Sequence, residues 1–122
     1  MRAPASYYLH RGGRMWVTEG VTGTVAARPT QDAEWEICRM YVHPNLHGTG
    51  LAHTLLDHAE AYVAKQGATR LVLWTDTRFA RAHRFYERRG YARFGQVRAL
   101  HDLSNTHEFA YAYPFPSGRG SG

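Results

Sequence analysis

The stretch from Glu34 to Gln66 constrains the fold more than any other part of this chain. Glu34 to Val42 alternates, which puts Trp35, Ile37, Arg39 and Tyr41 on one side of a strand and Glu36, Cys38, Met40 and Val42 on the other. His43-Pro44 closes that strand, because proline donates nothing to a ladder and biases its predecessor away from helix. From about Gly50 to Gln66 the spacing turns helical: Leu51, Leu55, Ala59 and Tyr62 form one stripe, with Leu56 and Val63 beside it, and Gly67 supplies the stop. A strand that hands over to an amphipathic helix through a glycine-containing loop is half of a crossover. Such a unit needs a sheet on which to return.

The rest of the sequence supplies that sheet. Met15 to Glu19 and Thr22 to Ala27 read as a hairpin ahead of the third strand, with a polar loop around Pro29 and Asp32 between. Arg70 to Thr75 is a short strand whose continuous Leu71-Val72-Leu73-Trp74 fits a position covered on both faces. A second helix is expected over about Arg78 to Arg89, ended by Gly90, and Tyr91 to Val97 with Glu108 to Tyr113 read as a closing antiparallel pair. The order is β-β-β-α-β-α-β-β, an α+β fold with a mixed sheet and helices packed on it. At 122 residues it is expected to form a single domain over residues 1–113, followed by a flexible Gly/Ser/Pro-rich tail over residues 114–122.

Composition removes several classes of function. No apolar run approaches the roughly 20 residues of a membrane span, and the start lacks the apolar core of a secretory signal, so a soluble cytoplasmic protein is expected. The single cysteine, Cys38, has no internal disulfide partner and reads as a structural, buried thiol. Neither His43 with His47 nor His53 with His58 reproduces a zinc signature, and no metal is expected. The net charge of +5 comes from arginine, Lys65 being the only lysine, and favours an anionic partner such as a phosphorylated cofactor or nucleic acid.

The loop between the third strand and the first helix, His47-Gly48-Thr49-Gly50-Leu51-Ala52, has the chemistry of a pyrophosphate cradle. Glycines let backbone N–H groups approach a ligand, and a helix N-terminus adds unpaired donors and the positive end of its dipole. It is neither a P-loop, lacking Gly-Lys-Ser/Thr, nor a dinucleotide fingerprint, lacking the third glycine and the later acidic residue. It resembles the cofactor motif of the GNAT superfamily of N-acetyltransferases, Arg/Gln-x-x-Gly-x-Gly/Ala, preceded by a strand end such as Tyr41-Val42-His43-Pro44. Gly50 and Ala52 occupy the small-residue positions, and His47 stands where the family has arginine or glutamine, which implies weaker or pH-sensitive cofactor binding. A second segment, Ala82-His83-Arg84-Phe85-Tyr86-Glu87-Arg88-Arg89-Gly90-Tyr91, is similar to the family's Ala-x-x-Phe-Tyr-x-x-x-Gly-Phe/Tyr.

The resemblance implies acetyl-CoA as cosubstrate and direct transfer of its acetyl group to an amine. Pantetheine is then expected to pair with backbone groups near Met40, Tyr41 and Val42, where an N–H also steadies the thioester oxyanion. Tyr86 matches the family's general acid for the departing thiolate, and Glu36, in the same side-chain row as Met40 by simple alternation, is the candidate general base. The match runs over roughly Trp16 to Tyr113. The family's usual beginning is missing, with Ser6-Tyr7-Tyr8-Leu9 as a candidate remnant. A shortened start and a homodimer partner that completes the acceptor wall are both compatible with this.

Two rival readings fit part of the same evidence. One is a protein of this fold that binds acyl-CoA and transfers nothing. The other is an RNA-binding face built on Arg78, Arg81, Arg84, Arg88 and Arg89, against which stands the absence of any RRM, KH or zinc-knuckle motif. The expected partner is therefore a small-molecule or peptide amine, with no nucleic acid.

Overall fold

Seven strands pair into one mixed sheet in the spatial order β1-β2-β3-β4-β5-β7-β6 in the computed structural model, which describes residues 5–8, 12–100 and 106–116. The strands are β1 (Ala5–Tyr8), β2 (Arg14–Val17), β3 (Gly23–Gln31), β4 (Glu34–Val42), β5 (Arg70–Asp76), β6 (Ala92–Ala99) and β7 (His107–Pro114). Helix α1 (Leu51–Lys65) carries the chain from β4 to the parallel strand β5, and α2 (Ala80–Arg88) carries it from β5 to β6. All other neighbours are antiparallel. The expected order is present, with β1 added in front. The candidate remnant is thus a strand through Tyr8, and Leu9 lies outside the described residues.

Most element ends shift by one or two residues from the sequence reading, and two differences change the path of the chain. Pro29 lies within β3 and not in a loop. Strand β2 starts opposite Ala27, so beyond that point one side of β3 has no neighbouring strand among the described residues, and a residue without an N–H is tolerated there. The turn to β4 is therefore reduced to Asp32-Ala33. Ala33 holds a positive φ of 58°, and its carbonyl accepts from the N–H of Thr69 (2.7 Å) and from the Thr69 hydroxyl (3.1 Å), which fixes where β5 begins. At the other end, β7 includes Pro114, and the N–H of Phe115 donates to Thr69 at 2.8 Å with its ring against Tyr113. The expected tail is held at least that far, and residues 117–122 lie outside the described residues.

Both helices cover the same face. Trp35, Ile37, Leu71, Leu73 and Tyr111 point to it, paired across β4, β5 and β7, and meet Leu51, Leu55, Leu56, Ala59 and Val63 of α1. The stripe read from the sequence is the buried side of α1. Tyr62 flanks it, its ring edge-on to Trp16 at 5.5 Å and Trp35 at 5.8 Å. Arg89 clamps the helices together: its guanidinium donates to Asp57 and Glu60 of α1, both at 2.8 Å, and Tyr91 donates to Glu60 at 2.7 Å. Leu55 is fully buried at the centre of this packing. Leu55→Ala is expected to cost about 2–5 kcal/mol through lost transfer energy and the cavity left behind, read as a lower urea midpoint with an unchanged slope.

The opposite face of the sheet carries no helix among the described residues. Charged side chains lie over it instead, with Glu34 paired to Arg70, Glu36 to Arg28 and Glu108 to Arg98.

Candidate active site

The site begins with one extra residue. Ala27 of β3 pairs with Ile37, yet Ala26 pairs with Arg39, so Cys38 is the inserted residue of a β-bulge in β4, and as such it is exposed in the cleft wall and not buried as its alternation suggests. Strand β4 pairs with β5 only from Glu34 to Ile37, whereas β5 continues along β7 to Asp76. The two central strands therefore part after Ile37 and Leu73. Between them opens a cleft of about 460 Å³, walled by Ile37 to Met40 on one side, Leu73 to Asp76 on the other, and Phe79, Ala82 and Tyr86 of the α2 segment. Along Cys38 to Val42 the edge of β4 turned away from β3 has no strand to pair with among the described residues, and it borders the opening as far as Met40.

The bulge also corrects the placement of Glu36. Strict alternation sets Glu36 and Met40 in one row, but the inserted residue shifts the phase. Met40, paired with Val25, then lies on the helix-covered face with Ile37, which is paired with Ala27. Glu36 pairs with Arg28 and its carboxylate lies 3.5 Å from that guanidinium on the opposite face, outside the walls of the cleft. Met40 and Tyr86 are brought together: the Tyr86 hydroxyl points at the Met40 sulfur, 3.9 Å away. The Tyr86 ring is wedged among Phe85, Tyr91 and Tyr111, with centroids 5.4, 5.7 and 6.3 Å away. Burial pushes its phenol up to about 12, so it keeps its proton at any physiological pH.

Between the end of β4 and the start of α1 lies the glycine loop. Gly48 and Gly50 adopt φ of +83° and +88°, a region closed to most side chains, and a Cβ on either would meet nothing within 4 Å. The N–H groups of Gly48, Gly50, Leu51 and Ala52 make no hydrogen bond among the described residues, leaving converging donors at the start of α1. Thr49 does not join them: its N–H and hydroxyl both turn inward to the Leu46 carbonyl, at 3.2 and 2.6 Å. The His47 ring nitrogen Nε2 lies 3.0 Å from the Val42 carbonyl, so this residue ties the loop to the end of β4. Tyr41 is exposed beside it. Free backbone donors at a helix start fit a pyrophosphate.

Two carboxylates border the far wall. Asp76 receives a fork from Arg78, Nε to Oδ1 at 2.9 Å and NH2 to Oδ2 at 2.6 Å, together with the Arg78 N–H at 2.8 Å. These hydrogen bonds hold its acid at about 2, so the stability it contributes is present above its usual value of 3.8 and fades only as pH falls towards 2. Its backbone carbonyl accepts from His83 Nε2 at 2.8 Å, which docks α2 on the strand end. Glu108 and Trp74, also lining the cleft, were not singled out from the sequence. They become neighbours only through the pairing of β5 with β7, which brings Trp74 opposite Ala110. Among the described residues no group of three or more His, Cys, Asp or Glu is placed to hold a metal, and no helix is long and apolar enough to cross a membrane.

Comparison with known proteins shows the family and the fold. The family model described as the acetyltransferase (GNAT) family matches residues 2–91. N-acetyltransferase 8F1 of Rattus norvegicus is 31% identical over 120 residues, covering 90% of this chain and 54% of that protein. Among solved structures, the IAA acetyltransferase from Bacillus cereus superposes with a TM-score of 0.78 at 20% identity, covering 88% of this chain and 81% of the other. The NatC complex bound to Gag peptide and CoA gives 0.72 at 18% identity, with 85% and 71% covered. The chain belongs to the GNAT family of N-acetyltransferases and has its fold. It spans about half the length of the curated mammalian relatives it matches.

Proposed function

We propose that this chain transfers the acetyl group of acetyl-CoA to an amine, with the pyrophosphate on the Gly48–Ala52 loop and the thioester in the cleft between β4 and β5. The observation that carries the reading is the combination of these parts: free donors at the α1 N-terminus, a β4 edge along Cys38 to Tyr41 that β5 does not pair, and Tyr86 in the wall of the same cleft. An unpaired strand edge offers pantetheine's amides the hydrogen bonds that β5 no longer makes, and a backbone N–H there supports the oxyanion.

In the transfer, the neutral amine forms its bond to the carbonyl carbon, the carbon–sulfur bond breaks, and the sulfur takes the Tyr86 proton. A thiolate is a far better acceptor than the Met40 thioether that the hydroxyl now faces. The amine's own excess proton leaves to water at the open side of the cleft, and water returns a proton to the Tyr86 phenolate, so the net transfer is from amine to thiolate. Asp76, held ionised by Arg78, is a weak base for this step, and Glu36 could serve only through water from the opposite face.

Thermal unfolding with acetyl-CoA tests the reading. One millimolar ligand should raise the midpoint in a saturable way, since a ligand that binds only the folded state stabilises by RT ln(1 + [L]/Kd). A well-folded protein that shows no shift would sink the proposal.

A further inference from the structure

Building on the acetyl-transfer reading, we infer that the acceptor is an amine carrying a second, cationic end, and that Trp74 and Glu108 hold that end in the place now taken by the chain's own Arg98. Arg98 lies opposite Glu108 across β6 and β7, just after an irregularity in their register. Its guanidinium carbon stands 4.0 Å from the Trp74 ring centroid, and its Nε and NH2 donate to Glu108 Oε1 at 2.9 and 2.7 Å. An aromatic face with a carboxylate beside it is the set of groups that recognises an organic cation.

Trp74 and Glu108 line the cleft that also contains Met40 and Tyr86, whereas Arg98 is not among its walls. The Glu108 side chain is 17% exposed and that of Arg98 44%, so the guanidinium covers a carboxylate that belongs to the cavity. A long, exposed arginine can swing away at little cost, leaving a ring and a negative charge inside the reaction space. The other charges facing the cleft do not compete for this role. Asp76 is already held by Arg78 in a fork with both oxygens used, and Arg39 would repel a second cation placed near β4. The cationic end therefore belongs on the β5–β7 wall, with the reacting nitrogen towards Tyr86.

The test is isothermal titration of 1,4-diaminobutane into the full chain, with and without CoA, for the native protein, Glu108→Gln and Arg98→Ala. Glu108→Gln is expected to weaken diamine binding about tenfold. Arg98→Ala should tighten it several-fold by removing the internal competitor, a gain that damage to the fold does not mimic. In acetyl transfer, 1,4-diaminobutane should exceed 4-amino-1-butanol in kcat/KM by about tenfold or more. Unaltered diamine affinity in Glu108→Gln, or no gain in Arg98→Ala, would overturn the assignment. Failure of the acetyl-transfer reading shows separately, as a missing thermal shift with acetyl-CoA, because amine binding is also read without the cofactor.

Discussion

Tyr86→Phe should lower kcat for acetyl transfer by about a hundredfold or more while leaving CoA affinity unchanged, the signature of a group that acts only in the transition state. The substitution keeps the ring in place among Phe85, Tyr91 and Tyr111 and removes only a hydroxyl whose sole polar contact among the described residues is the Met40 sulfur at 3.9 Å. Stability at neutral pH should therefore hardly change. Alkaline pH supplies an independent check. The folded phenol titrates near 12 against an ordinary value of 10, because burial disfavours the phenolate. A raised acid of this kind contributes stability that is complete below 10 and is lost as pH rises through 12, since the unfolded chain releases its proton first. The native protein should then lose more stability between pH 10 and 12 than Tyr86→Phe does. Native-like turnover in the phenylalanine variant would remove Tyr86 from the chemistry.

What the sequence made legible was local. Strand β4 has the bounds its alternation predicts, and the buried side of α1 is the apolar stripe, because both signals are periodicities within a single element. The loop after Pro44 was legible for the same reason: Gly48, Gly50 and a helix start are neighbours in the chain. Non-local pairing was not. The bulge at Cys38 depends on which residues of β3 lie opposite, and with it goes the face on which Glu36 is found. Likewise Arg89 meets Asp57 and Glu60 only once the helices are packed side by side, and no spacing in either helix announces it. Trp74, Arg98 and Glu108 converge through two antiparallel pairings, so the most cation-like corner of the cleft has no motif in the sequence.

Gly50→Val should abolish the acetyl-CoA thermal shift at a modest cost in stability, and a matched control separates the two effects. A β-branched residue at φ +88° is strained by about 1–2 kcal/mol, but its Cβ meets no protein atom within 4 Å, so no clash adds to the strain. A pyrophosphate held by the N–H groups at the start of α1 must approach the backbone closely, and a branched side chain at Gly50 is expected to stand in its way. Gly67, just beyond the far end of α1, has a φ of +84° and equally open surroundings, with no cradle beside it. Gly67→Val should therefore lower the melting midpoint by a similar amount yet keep the full shift with acetyl-CoA. If both variants keep the shift, the donors at the start of α1 do not hold the cofactor. If both lose it, strain in the fold explains the loss and the loop has no special part. Loss in Gly50→Val alone assigns the anion to the four free N–H groups, a role that depends on the absence of a side chain there.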